Sequence, residues 1–370
     1  MTLAATQRTL ATLAAAAAAA AALAAAPAAH ALTFVFNDTT PGGMTLAQSQ
    51  AVTAAGNYWS SKLADNVTVY VDMGFASLGA SVLGQTGSEF MSKSYTSLRA
   101  SLAGDATSAR DASAVASLQT GAALAFHATQ GDLSSRYDND GSVNNTLLGL
   151  TTANAKALGY ATATNAALPD ATMTFSSDFS FAYSRAGGTP SNQIDFITVV
   201  QHELGHALGF VSGVDDIDYC AGAGMGAACG ISEGANRFES NWWYEPLDLF
   251  RYSAAGLDMR VGGSPFFSID GGATALETFS TGSSYGNSYQ ASHFGTNSVN
   301  LMRPYVSYGQ AYDATEADLA ALDVIGWNLA VAVPEPGTWA LLAAGLAAVG
   351  GRARRRHRSH LSHLSQRAAV

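Results

Sequence analysis

The chain has 370 residues, 48% of them hydrophobic and only 12% charged, with a formal net charge of −10. Setting aside the two terminal segments leaves 11 Lys and Arg against 27 Asp and Glu, a net −16 over residues 32–333. That balance excludes a basic nucleic-acid footprint and suits an exported soluble protein.

Taken in order, residues 1–31 carry a single cation, Arg8, then an Ala/Leu run from Leu10 to Ala26 and a small-x-small ending, Ala29-His30-Ala31. This is the pattern of a secretory signal peptide cleaved before Leu32. "LTFVFN" reads as a strand, and "TLAQSQAVTAAGNYWSSKLAD" as a helix with Thr45 as N-cap. "NVTVYVDMGF", residues 66–75, alternates like a second strand, so the start is a βαβ unit with a mainly parallel sheet. Residues 85–125 are Ala/Ser-rich and read as helical. "RYDNDGSVNNT", residues 136–146, resembles a calcium loop, but the twelfth position counted from Asp138 is Gly149 rather than Glu. A solvated turn is expected there, with a calcium site of another type as the alternative. "TMTFSSDFSFAYS", residues 172–184, alternates as a half-buried strand or hairpin would.

"SNQIDFITVVQHELGHALGF" predicts a long helix, capped by Ser191 or Asn192 and ending near Gly209. The stretch from 211 to about 290 reads as irregular. It holds the two cysteines, Cys220 and Cys229, in a Gly-rich loop, and an exported chain predicts a local disulfide between them. A last helix, "DATEADLAALDVIGW", shows a capping pattern at Thr315 and Asp318. No internal repeat is visible.

The chemistry concentrates in His202-Glu203-x-x-His206. Residues four apart share one helix face, so both imidazoles can address a single ion, while Glu203 lies about 100° further round the helix, beside the ion rather than on it. Gly209, three residues past His206, permits an abrupt exit from the helix. A catalytic zinc needs three protein ligands, so one more must come from elsewhere. Of the eight histidines, His30 is in the signal and His357, His360 and His363 are in the tail. His127, in "ALAFHATQ", reads as a packed structural residue. His293, in "ASHFGTNSVNLMRP", is then the candidate third ligand, with Met302 in a tight turn nine residues later. Rival ligands are Asp215 or Asp216, or a downstream Glu such as Glu233 or Glu239.

The series HExxHxxG, a late His and a Met in a turn resembles the metzincin zinc peptidases, and within them the leishmanolysin-type arrangement, where an insertion separates the glycine from the third His. Ser212 departs from the short metzincin motif, and the insertion accounts for it. The resemblance implies an α+β protein with an α/β-like N-terminal half: a catalytic domain over 32–332 with a twisted, mainly parallel sheet and an active-site helix. Its N-terminal subdomain would run to about 210, and an irregular C-terminal subdomain would cover 211–332. It also implies one catalytic Zn²⁺ held by His202, His206 and His293, Glu203 as general base to a zinc-activated water, and Met302 as the floor of the site. Protein or peptide substrates would add as a strand along a sheet edge, for which "TMTFSSDFSF" is the candidate. Tyr305 or Tyr308 would support the oxyanion. The alternative function is a non-catalytic envelope or extracellular-matrix protein with a structural or vestigial zinc site.

The chain closes on "VPEPGTWALLAAGLAAVGGRARRRHR", residues 333–358, followed by a tail over 359–370. Its apolar stretch, Thr338–Gly351, is shorter than the ~20 residues of an ordinary membrane span, and the arginines set its cytoplasmic side. Pro334-Glu335-Pro336, an apolar helix and an Arg cluster in this order resemble the PEP-CTERM sorting signal. That resemblance implies export, transient anchoring in the inner membrane through the sorting helix, processing by a sorting enzyme of the exosortase type, and delivery to the cell envelope or beyond.

Overall fold

The computed structural model describes residues 32–222, 229 and 238–330. Strand β1 (Thr33–Asp38), helix α1 (Leu46–Lys62) and strand β2 (Thr68–Ala76) form the expected βαβ unit, with Thr33 opposite Thr68 in parallel register. Thr45 caps α1 in a reciprocal capping box with Gln48, which satisfies two of the backbone donors that a helix start leaves open.

Past this unit the order is β3 (Gly84–Ser88), β4 (Phe90–Ser94), α2 (Tyr95–Asp105), α3 (Ala109–Ser117), β5 (Phe126–Thr129), β6 (Ser135–Asp138), α4 (Val143–Thr146), β7 (Leu147–Thr151), α5 (Thr152–Ala157) and β8 (Ala171–Ser176). The main sheet runs β1-β2-β8-β3. Its first three strands are parallel and β3 pairs antiparallel with β8. Two expectations are corrected here. Residues 84–94 are strands rather than the start of a helix, and "TMTFSSDFSF" supplies a central strand, β8, rather than an edge. The edge is β3, whose sequence, Gly-Gln-Thr-Gly-Ser, has no apolar alternation to announce it. Its pairing with β8 holds it extended.

β9 (Phe181–Ala182) and β10 (Ile194–Asp195) form a short parallel pair that leads into α6 (Phe196–Ala207). The cap of α6 is Asp195, not Ser191 or Asn192. Its Oδ2 accepts the Thr198 N–H at 2.9 Å and the Thr198 hydroxyl at 2.6 Å, and Arg185 pairs with it at 2.8 Å. An anion at the first turn also suits the helix dipole. Phe196 packs edge-on against Phe175, Phe181 and Tyr183, which fastens the start of α6 to the sheet. Two buried indoles hold its backbone carbonyls: Trp59 of α1 donates to Gln201 at 2.9 Å, and Trp327 donates to Leu208 at 2.7 Å.

The stretch expected to be irregular is partly ordered. It holds α7 (Val214–Cys220), a 3₁₀ turn at Pro246–Phe250, and strands β11 (Arg251–Ser253), β12 (Gly256–Met259), β13 (Phe266–Phe267) and β14 (Glu277–Thr278). These join β5 and β6 in a six-stranded sheet, β14-β13-β11-β12-β5-β6, which draws strands from both sides of residue 210. Strands of two to four residues are too short to show a period in sequence. The last helix, α8 (Glu316–Val324), has the expected Thr315–Asp318 capping box. The chain is thus a mixed α+β protein, as its sequence implies. The signal over 1–31 and the sorting segment over 333–358 lie outside the described residues, among which no helix is long and apolar enough to cross a membrane.

Candidate metal centre

His202 and His206 project from successive turns of α6, and His293 reaches them from the chain between β14 and α8. The Nε2 atoms of His202 and His293 are 3.2 Å apart, and those of His206 and His202 are 3.1 Å apart. Each ring's other nitrogen meets a backbone carbonyl: His202 Nδ1 to Leu301 at 2.9 Å, His206 Nδ1 to Phe210 at 2.7 Å, and His293 Nδ1 to Gln290 at 3.2 Å.

A carbonyl only accepts, so each Nδ1 carries the proton and each Nε2 turns a bare lone pair inward. Three lone pairs facing one another repel unless a cation sits among them. An ion ~2.0–2.1 Å from each nitrogen in a tetrahedral set spaces those nitrogens by about 3.3 Å. The three rings therefore fit a zinc ion. Burial lowers the pKa of all three, that of His206 to about 3, with repulsion between the rings adding to the effect at His206 and His293. They stay neutral, the form that binds metal.

The local backbone explains these orientations. Gly209, at φ +111°, turns the chain out of α6, and the next residue, Phe210, presents its carbonyl to His206. Glycine pays little for that conformation. Leu301, whose carbonyl holds His202, lies in the Met302 turn. Asp318 of α8 fixes that turn by accepting the N–H of Leu301 at 2.9 Å and of Met302 at 3.0 Å. Met302 is buried against α6 at Gly205, between the two helix ligands, where a Cβ would collide with its thioether.

Glu203 is 5% exposed. Its Oε2 accepts the Thr86 hydroxyl of β3 at 2.7 Å. Burial pushes its carboxyl up to about 7, and the Thr86 bond opposes the rise. β3 comes so close that a Cβ on Gly84 would lie 2.9 Å from Glu203 Oε1. The carboxyl group, the triad, β3 and Tyr305 share one cleft of about 850 Å³.

The rival ligands have other partners. Both oxygens of Asp215 accept backbone N–H groups, from Ala291 at 2.5 Å and Ser292 at 3.0 Å. Asp216 is exposed at the cleft, and Ser212 donates to Asp248 at 2.5 Å. Glu239 ion-pairs with Arg136, and Glu233 lies outside the described residues. Asp138, Asp140 and Glu239 do converge in the loop that resembles a calcium site, but around the Arg136 guanidinium. That cation already balances part of their charge.

His127 sits on β5, its ring 5.1 Å from Tyr137. Tyr305 and Tyr308 are exposed on the cleft wall, and the Tyr305 hydroxyl donates to the Thr296 carbonyl at 3.0 Å. Cys220 and Cys229 form the expected disulfide, Cα–Cα 6.0 Å. Sequence reasoning missed Thr86 and the anchoring roles of Asp215 and Asp318. Asp318 alone left a signal, as a helix cap.

The comparisons with known proteins concern the other end of the chain. Residues 332–356 match the PEP-CTERM protein-sorting motif. The chain carries an export and envelope-sorting signal. This is a signal of the kind that exosortase-type enzymes recognise. Neither curated proteins nor solved structures yield a match to the chain.

Proposed function

We propose that this chain is an exported zinc-dependent endopeptidase of metzincin type, released to the cell envelope or beyond. The observation that carries the reading is the convergence of three Nε2 lone pairs, each fixed by a carbonyl behind it, with a buried carboxyl group alongside. Zinc held there would supply Lewis acidity to the scissile carbonyl and make water a nucleophile near neutral pH.

The chain's own groups supply the rest. β3 is an edge strand lining the cleft, so an extended peptide can pair with its free backbone groups. It takes over the role that the sequence suggested for residues 172–181. Glu203 accepts the proton of the attacking water at a carboxylate oxygen and delivers it to the leaving amine. Thr86 holds that carboxylate in place. Tyr305 and Tyr308 stand on the cleft wall, the side from which an oxyanion could be supported.

The test is to assay Glu203→Gln beside the wild type on a peptide library, with zinc measured in both. The reading requires one zinc per chain in each protein and cleavage only by the wild type. Equal cleavage by the variant overturns the role of Glu203. A wild type that binds zinc but cuts nothing favours the non-catalytic envelope protein.

A further inference from the structure

We infer that Asp215 and Arg251 form a charged clamp that positions the third ligand, His293. The inference rests on the zinc reading of the triad and assigns work to two residues outside it. Asp215 stands in α7, just past the helix that bears the first two ligands. Its Oδ1 accepts the Ala291 N–H at 2.5 Å and its Oδ2 the Ser292 N–H at 3.0 Å. Arg251 opens β11 and is 1% exposed. Its Nη1 donates to the Ala291 carbonyl at 3.3 Å and its Nη2 to the Ser280 carbonyl at 2.7 Å.

The Ala291 C=O and the Ser292 N–H belong to one peptide unit. Its oxygen is held by the cation and its N–H by the anion, so the peptide dipole lies between opposite charges. The Ser280 N–H in turn donates to the His293 carbonyl at 2.9 Å. The clamp therefore grips both the segment that delivers His293 and the Ser280 backbone paired with it.

Energetics give the clamp its force. Among the described residues, no carboxylate lies within ion-pair distance of Arg251, and its Nε has no hydrogen-bond partner. A buried charge is costly unless it is hydrogen-bonded. Arg251 meets that need through the two carbonyls, and Asp215 through two consecutive N–H groups. Displacing residues 291–292 would strip Asp215 of both N–H partners and Arg251 of one of its two carbonyls, so the segment has one favourable position. Apolar residues of similar size could fill such a core at least as stably. What the charges add is a fixed place for the peptide, and with it a preformed ligand set. Asp215 thus serves the site without touching the ion.

The experiment measures zinc dissociation constants by chelator competition, and absorption spectra of the cobalt-substituted protein, for wild type, Asp215→Asn, Arg251→Lys, His293→Ala and the double variant Asp215→Asn/His293→Ala. Asn accepts at one atom only, and Lys keeps the charge but cannot span both carbonyls. Each clamp variant should weaken zinc binding roughly 10- to 100-fold, the range for outer-shell partners, and alter the cobalt spectrum. In the His293→Ala background, Asp215→Asn should change zinc affinity by less than twofold, because the clamp acts through His293. Wild-type affinity and spectrum in both clamp variants overturn the clamp, even if their melting temperatures fall. Equal losses with and without His293 overturn it as well, by showing a general structural role. If Asp215→Asn does not fold, Arg251→Lys alone decides by the same readouts. A wild type that binds no zinc, or a His293→Ala variant that binds it as tightly as wild type, instead overturns the zinc reading beneath.

Discussion

The Thr86 hydroxyl, on the outermost strand of the main sheet, donates to the carboxylate of Glu203 at 2.7 Å. The strand that would receive a substrate and the group that would move the attacking water's proton are therefore in direct contact. Thr86→Val keeps the shape of the side chain and removes this bond. A hydrogen bond to a charged group contributes ~1.5–3 kcal/mol, so kcat should fall at least roughly tenfold, with zinc stoichiometry and KM for a good peptide little changed. Steady-state kinetics with metal analysis check this, and wild-type kcat in the variant would remove Thr86 from the mechanism.

Gly205 offers a prediction of sign. Replacing a mid-helix glycine by alanine usually stabilises a helix by ~0.5–1 kcal/mol. Here the new methyl would run into the Met302 thioether. Overpacking of this kind costs ~1–3 kcal/mol, so Gly205→Ala should lower the urea midpoint of unfolding. A raised midpoint would mean that Met302 can move aside, and that the floor of the site is softer than described.

The neutral triad predicts how metal binding responds to pH. Three exposed imidazoles near pKa 6.5 would each compete with protons at pH 5.5, costing up to about a thousandfold in affinity. Burial lowers all three pKa values, that of His206 to about 3. Zinc affinity should therefore fall less than about tenfold between pH 7.5 and 5.5. The linked effect on stability has the opposite sign to a salt bridge gained by His. These rings stay neutral when folded and take up protons when unfolded, so they stabilise the fold above about pH 6.5, and this is lost as pH drops through the folded values. Chelator competition at the two pH values is the measurement.

An acidic group between α2 and α8 titrates the other way. Burial raises the carboxyls of Asp105 and Asp323 to about 6 and pushes that of Asp65 upward. Asn328 bridges Asp65 and Asp105, donating at 3.3 and 3.1 Å. A raised folded pKa means the folded state holds its proton more tightly than the unfolded chain. The stabilisation is present below pH ~4 and is lost as pH rises through about 6. Asp105→Asn should therefore be more stable than wild type at pH 8, with the difference shrinking towards pH 4. Urea midpoints of both proteins across that range test it, and a pH-independent difference would argue against the assignment.

What the sequence revealed follows a physical pattern. The βαβ start, the Thr45 and Thr315 caps, the glycine exit after His206 and the histidine pair are all written in residues a few positions apart. His293 could be found because few histidines remain once the terminal segments are excluded. β3 stayed hidden because its extended form comes from a partner strand, not from its own side chains. The true cap Asp195 was hidden for a different reason: β10 interrupts what looks like one continuous helix. Thr86 with Glu203 and Asp215 with Ala291 join positions 117 and 76 residues apart, which no local pattern records.

The indole of Trp327 bonds the carbonyl that closes the helix carrying His202 and His206, and the matched sorting motif begins at residue 332, past that anchor. Among the described residues, the side chains that hold the helix are thus all laid down upstream of the address label. Trimming at the Pro-Glu-Pro stretch would sever the parcel from its tag and leave both indole anchors of the helix, Trp59 and Trp327, on the parcel.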